Sequence, residues 1–178
     1  MAMNQPKLLG LLILILSASL APIGAWPLKL SDAQGRAVVI KAQPRRIVSL
    51  LPSVTEILCS LGLKSAIIGR TAYCDYPPSV KTIPVVGDLF LDYERILALD
   101  PDLIVADVEM QKADLTRLTR LGFQVLAVNS QNLTDLKKTL ILLGKATGKE
   151  KTATDKCVPK RKGISLMPKV LDAISEVI

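Results

Sequence analysis

The sequence predicts an α/β fold, a three-layer sandwich on a mostly parallel sheet. Short apolar runs alternate with segments of helical period, and turn residues separate them. That order calls for right-handed crossovers that place helices on both faces of a parallel sheet. The runs at residues 47–51 and 103–106 hold only one hydroxyl among their apolar side chains, as strands buried on both faces do.

The elements follow in chain order. Residues 28–31 alternate apolar and polar, residues 32–35 supply turn formers, and residues 37–40 return, which predicts a hairpin. The strand at 47–51 ends at Pro52. The segment Ser53-Val54-Thr55-Glu56 has the form of a capping box, with Ser53 as the cap and Glu56 reaching back to it. Val54, Ile57, Leu58 and Leu61 then recur at helical spacing until Gly62. A strand is expected at 66–69, a long loop through Tyr73, Cys74, Tyr76, Pro77 and Pro78, and a short edge strand at 83–87 that tolerates Pro84. Asp92 is the expected cap of a helix over 93–99, which the Asp100-Pro101 pair ends. After the strand at 103–106 come a helix over 110–121 closed by Gly122, a strand at 124–128, and a helix from the Asn132 cap to about Thr147. Ligands of such sheets gather at the carboxyl ends of the strands, so the loops after Leu51, Gly69, Val86 and Ala106 are the ones to watch.

Composition excludes several chemistries. The chain of 178 residues contains no histidine, which removes histidine-based zinc sites, Ser-His and Cys-His nucleophile pairs and imidazole ligation of haem. No G-x-G-x-x-G follows the first buried strand. Residues 144–150 (GKATGKE) resemble a phosphate loop only faintly: the spacing is one residue short, Glu150 stands where a hydroxyl belongs, and the segment follows a helix. Ser53 and Thr55 have no accompanying base, and the Asn132-Leu133-Thr134 sequon coincides with a helix cap. Cys59, Cys74 and Cys157 are odd in number without C-x-x-C spacing. Cys59 reads as a small apolar packing residue. Cys74, in a polar loop, is a poor nucleophile, and which pair an oxidising compartment would join is left open.

The N-terminus reads as a targeting segment. Lys7 precedes the apolar stretch 8–16 and small residues through Ala25, the layout of a secretory signal too short to span a bilayer comfortably. The division expected is 1–25 as signal peptide, 26–148 as an α/β substrate-binding lobe, and 149–178 as the start of a linking helix followed by a basic tail. Beyond residue 25 there are 22 basic and 16 acidic side chains, and residues 145–169 alone carry 8 against 2. The body is therefore nearly neutral. The tail has no interleaved aromatics, and no nucleic-acid partner is expected.

Only six aromatics occur, Trp26, Tyr73, Tyr76, Phe90, Tyr93 and Phe123, and four fall between 73 and 93. Tyrosine offers a flat apolar face with a polar tip, suited to gripping a large ring system. On the predicted layout Tyr73, Tyr76, Phe90 and Tyr93 lie near the ligand edge.

Residues 44–58 (PRRIVSLLPSVTEIL), then Leu61-Gly62, Ile68-Gly69, 73–78 (YCDYPP), Val86-Gly87 and 94–104 (ERILALDPDLI), taken in order, resemble the periplasmic solute-binding proteins of cobalamin and iron-siderophore ABC importers. The resemblance covers about residues 28–155, and the Asp-Tyr-Pro-Pro loop is most like the cobalamin branch. It implies the first lobe of a two-lobe, helix-linked protein that holds its ligand in a shallow cleft, and an exported, non-enzymatic role. It assigns Tyr73 to stacking on the ligand, with Pro52, Tyr76, Asp88 and Phe90 nearby, and Glu94 to docking on an ABC permease of the inner membrane. No cofactor or resident metal is implied, since the ligand is a preformed metal chelate. Two departures stand out. Asp107 occupies a place where cobalamin-type members tend to carry an aromatic, and after Asp155 the helical pattern is broken by Pro159 and Gly163, so a second lobe is expected to be absent or separately encoded. The rival readings are a truncated remnant that dimerises and a small exported hydrolase using Asp75, Asp88 and Glu94.

Overall fold

The computed structural model describes residues 26–157; the expected signal segment and the basic tail from 158 onward lie outside the described residues. Four strands form a parallel sheet in the order β4-β3-β5-β6, with β3 Ile47–Ser49, β4 Ile67–Arg70, β5 Leu103–Asp107 and β6 Val125–Val128. The hairpin β1 Leu28–Ser31 and β2 Ala37–Ile40 is a separate antiparallel pair, Leu28 opposite Ile40. The Asp32 carboxylate shapes its turn by accepting from the main-chain N–H of Gln34 and Arg36, each at 2.9 Å.

Strand side chains alternate between two cores, as the two-residue period of a strand demands. Ile47, Leu103, Val105, Leu126 and Val128 face one cluster, shared with helices α1 (Pro52–Ser60), α4 (Leu133–Ala146) and α5 (Glu150–Cys157) and with the hairpin. Val48, Ile104, Ala106, Val125 and Ala127 face the other, with Ile96 of α2 (Tyr93–Ala98) and Leu115 and Leu118 of α3 (Lys112–Arg120). Both faces are thus covered, and the expected three-layer α/β architecture is present.

Several local expectations need correction. The capping box does not form. Leu51 is the N-cap of α1 without a side-chain bond, and Pro52 opens the helix as its first residue. Proline has no N–H to satisfy and a preset φ, so it starts the helix before Ser53 can cap it. Thr55 turns inward instead, donating to the Leu51 carbonyl at 3.0 Å and pairing with the Ser49 hydroxyl at 2.8 Å. The segment 83–87 is not a strand. It contributes two isolated bridges, Arg70 to Val85 and Gly87 to Leu91, because Pro84 lacks a ladder donor and Gly87, at φ +140°, turns the chain away. Helix α3 starts at Lys112 rather than Met110, since the Asp107 carboxylate takes the N–H groups of Glu109 and Met110 and the Gln111 side chain accepts from the Asp107 N–H. The caps at Asp92 and Asn132 form as expected, accepting from Arg95 N–H at 2.9 Å and Asp135 N–H at 3.0 Å. Cys59, Cys74 and Cys157 are all free thiols.

Gly144 of α4 lies in close contact with α5. A Cβ there would lie 2.4 Å from the Cβ of Ala153 and 3.2 Å from the Lys149 carbonyl oxygen. Glycine-to-alanine changes inside helices ordinarily stabilise by about 0.5–1 kcal/mol. Here the clash dominates, so Gly144→Ala is expected to destabilise by about 1–3 kcal/mol. Thermal unfolding followed by circular dichroism checks the sign, and a raised midpoint would contradict the packing.

Candidate functional site

All four sheet strands run parallel, so their carboxyl ends share one edge, and the loops there are fastened by two buried charges. Arg70, the last residue of β4, is 6% exposed. Its guanidinium donates from Nε to the Val80 carbonyl (3.0 Å), from Nη1 to those of Thr71 (3.1 Å) and Ala72 (3.4 Å), and from Nη2 to that of Lys81 (3.1 Å). Asp107, the last residue of β5, is fully buried. Its carboxylate accepts from the N–H of Glu109 (2.9 Å) and Met110 (3.2 Å) and from the Ser130 hydroxyl (2.9 Å).

Above these fasteners stand the exposed apolar side chains. The turn at 71–74 is pinned inward by Cys74, which lies in the expected polar loop yet is fully buried, with its sulfur 3.1 Å from the Thr71 hydroxyl. Tyr73 consequently points out and is 56% exposed. The next turn lies alongside, since Ala72 N–H donates to the Gly87 carbonyl at 2.9 Å. That turn requires glycine: a Cβ on Gly87 would lie 2.3 Å from the Phe90 carbonyl oxygen. It lifts Leu89 and Phe90 to 76% and 83% exposure. Asp88, exposed, accepts from Phe90 N–H at 3.3 Å and so shapes the turn. On the far side of β3, the loop held by Asp107 presents Met110 at 71% exposure. Pro52 is exposed at the start of α1, between these loops.

The predicted site residues therefore separate into groups. Tyr73, Asp88 and Phe90 lie on adjoining turns of the loop edge, and Pro52 follows the strand between β4 and β5. Tyr76 diverges, lining a shallow depression of about 460 Å³ with Glu56, Ile57, Cys59, Ser60 and Pro77 on the flank of α1. Burial raises the Cys59 thiol above its ordinary pKa there, partly offset by Lys64. Tyr93 is not part of the edge. It is half-buried between α2 and α3, its hydroxyl hydrogen-bonded to Asp114 and its ring 4.1 Å from the Arg117 guanidinium carbon. Burial, together with the bond to Asp114, pushes its pKa up to about 12. Glu94 is exposed in the first turn of α2 and forms no ion pair among the described residues.

Leu89, Met110 and the two buried charges escaped the sequence reading. Leu89 was detectable in principle, as the first of three adjacent apolar residues between the turn formers Gly87-Asp88 and the cap Asp92. Asp107 occupies the place noted for an aromatic, but its carboxylate is fully consumed by its own loop. Among the described residues no group of three or more Cys, Asp or Glu side chains, Asp75, Asp88 and Glu94 included, is placed to hold a metal ion.

Comparison with known proteins bears on this edge. The sequence profile of a family described as periplasmic binding protein matches residues 47–157. The uncharacterized ABC transporter substrate-binding lipoprotein YvrC of Bacillus subtilis is 37% identical over 132 residues, covering 72% of this chain and 42% of the relative. The chain therefore spans well under half the length of that relative. Among solved structures, Staphylococcus aureus SirA complexed with staphyloferrin B matches with a TM-score of 0.60 and 30% identity, over 72% of this chain and 44% of that one. The periplasmic vitamin B12 binding protein BtuF of Vibrio cholerae matches with a TM-score of 0.60 and 28% identity, over 64% and 46% respectively.

Two outcomes follow from the geometry. Asp107→Ala strands two loop N–H groups and the Ser130 hydroxyl, and is expected to cost roughly 2–3 kcal/mol of stability, read from urea unfolding. In a chain carrying Tyr73→Phe and Tyr76→Phe, the ultraviolet phenolate titration reports Tyr93 alone. Its midpoint should fall at about 12 and move down when Asp114→Ala removes the acceptor, and an unmoved midpoint would remove the Asp114 contribution.

Proposed function

The chain belongs to the periplasmic binding protein family, and from that membership we propose that it is the substrate-binding component of an ABC importer for a metal chelate, cobalamin or a ferric siderophore. The observation that carries this reading is the row of exposed apolar side chains, Tyr73, Leu89, Phe90 and Met110, at the carboxyl edge of a parallel sheet. Monomeric proteins seldom leave large apolar groups clustered on rigid turns unless a ligand or partner covers them. Tyr73 and Phe90 would stack on the broad face of the chelate, with Pro52 and Leu89 beside them.

Similarity supports the ligand class, since SirA is described in complex with staphyloferrin B and the Vibrio cholerae neighbour as a vitamin B12 binding protein. The absence of histidine from all 178 residues supports uptake of a metal already enclosed in its chelate. Capture by stacking and shape needs no nucleophile, and the proposed role includes no bond chemistry. Export to the periplasm or to the outside of the cell would fit the signal-like N-terminus. Glu94, exposed and free of ion pairs among the described residues, would dock on cationic side chains of the inner-membrane permease.

The described residues offer this ligand a single open face, whereas binding sites usually bury 70–90% or more of a ligand's surface. Strong capture would then need a second lobe to close over the chelate. Calorimetric titration of the full chain with cyanocobalamin, ferric staphyloferrin B and haem tests the reading. At least one should bind, no tighter than about micromolar, and Tyr73→Ala or Phe90→Ala should weaken that binding by roughly tenfold. Absence of binding to all three would sink the proposal, and sub-micromolar capture by a monomer would sink the open-face argument. Glu94→Lys should leave the titration unchanged and abolish association with the reconstituted permease.

A further inference from the structure

We infer that Arg70 is a positioning residue for the ligand edge, acting through the main chain of the turn that carries Tyr73. This rests on the reading of Tyr73 as a ligand contact. The guanidinium is buried, and among the described residues no carboxylate forms an ion pair with it. Its charge is met by carbonyl dipoles alone, and those carbonyls belong to the two ends of one loop: Thr71 and Ala72 where it leaves β4, Val80 and Lys81 where it returns. The main chain of Arg70 completes the closure, its N–H donating to Pro84 at 3.0 Å and its carbonyl accepting from Val86 at 2.8 Å.

Tyr73 depends on that closure. Its hydroxyl has no hydrogen-bond partner among the described residues, and more than half its surface is open, so little besides the turn sets its direction. The turn itself closes through Cys74 N–H donating to the Thr71 carbonyl at 3.1 Å, the same oxygen that Arg70 holds. Loosening the guanidinium therefore frees the base of the turn, and the ligand must bear the cost of ordering Tyr73 on binding. Only arginine suits the position. Its planar fork reaches carbonyls on two sides at once, whereas a lysine ammonium is a single point with three donors.

Arg70→Lys in the full chain is the test, read in two ways. Amide hydrogen exchange should accelerate within residues 71–82 and stay unchanged in β3, β5 and β6. Cyanocobalamin titration should show roughly tenfold weaker binding, and the loss should vanish when Arg70→Lys is made in a Tyr73→Ala chain, since Arg70 then has nothing to position. Should Arg70→Lys not fold, Arg70→Gln, which keeps a side-chain donor without a buried charge, takes its place. Unchanged exchange in 71–82, acceleration spread over the whole sheet, or an affinity loss that persists in the Tyr73→Ala chain would each overturn the assignment, as would failure of both variants to fold. A parent chain that binds no chelate defeats the functional reading separately, and the exchange pattern still decides the role of Arg70.

Discussion

The loop edge depends on one arrangement: buried charges at strand ends are neutralised by main-chain groups rather than by each other. A parallel sheet ends in loops that must find partners for their N–H and C=O groups before they can be ordered. Arg70 supplies up to five donors at the end of β4, and Asp107 supplies a carboxylate at the end of β5, two strands apart across β3. Each is desolvated and would be costly if left unpaired. Each instead binds the loop leaving its own strand. The carbonyls of the 71–82 loop converge on the cation and the amides of the 108–110 loop on the anion. Rigid turns follow from that chemistry, and the exposed side chains inherit their direction from the turns.

The layers of the fold were legible because they rest on signals confined to a few residues. In Ile47-Val48 and in Ile104-Val105, successive residues feed opposite cores, and runs of that kind identify strands covered on both faces. The caps Asp92 and Asn132 were equally plain, since a cap and its amide lie three residues apart. The cap of α1 was misread for a local reason too. Two rules competed over Pro52 and Ser53, and the preset φ of proline outweighed the serine hydroxyl, while Thr55 turned inward to donate to the carbonyl of the actual N-cap, Leu51.

The site was legible only in part, because its decisive contacts join distant positions. Tyr73 and Phe90 stand out as aromatics in turns. Nothing near Tyr93 in sequence reveals that its hydroxyl meets Asp114, 21 residues on, or that Arg117 covers its ring. Cys74 was read only as a residue of a polar loop, and its buried place beneath the turn depends on Thr71 and on the distant Ser49 of β3. Leu89 and Met110 present the reverse problem, since apolar residues are assigned to a core by default and only the tertiary fold turns these outward. Arg70 resembled any surface arginine until its four carbonyl partners were assembled.

The same constraint extends from the loop edge to the element that carries Glu94. Helix α2 has six residues, too short to persist by its own propensity, so packing must hold it. Ile96 anchors it in the core beneath the sheet, Tyr93 bonds it to α3, and Asp92 caps it while its N–H donates to the Val86 carbonyl at 2.9 Å. Val86 in turn donates to the carbonyl of Arg70 at 2.8 Å. The turn bearing Phe90 is thus clamped at its base between the residue that orders Tyr73 and the helix that presents Glu94. On the proposed reading, ligand contact and permease contact stand on one rigid main-chain frame, so the orientation of a captured chelate relative to Glu94 is fixed by the fold and needs no change of shape to be set.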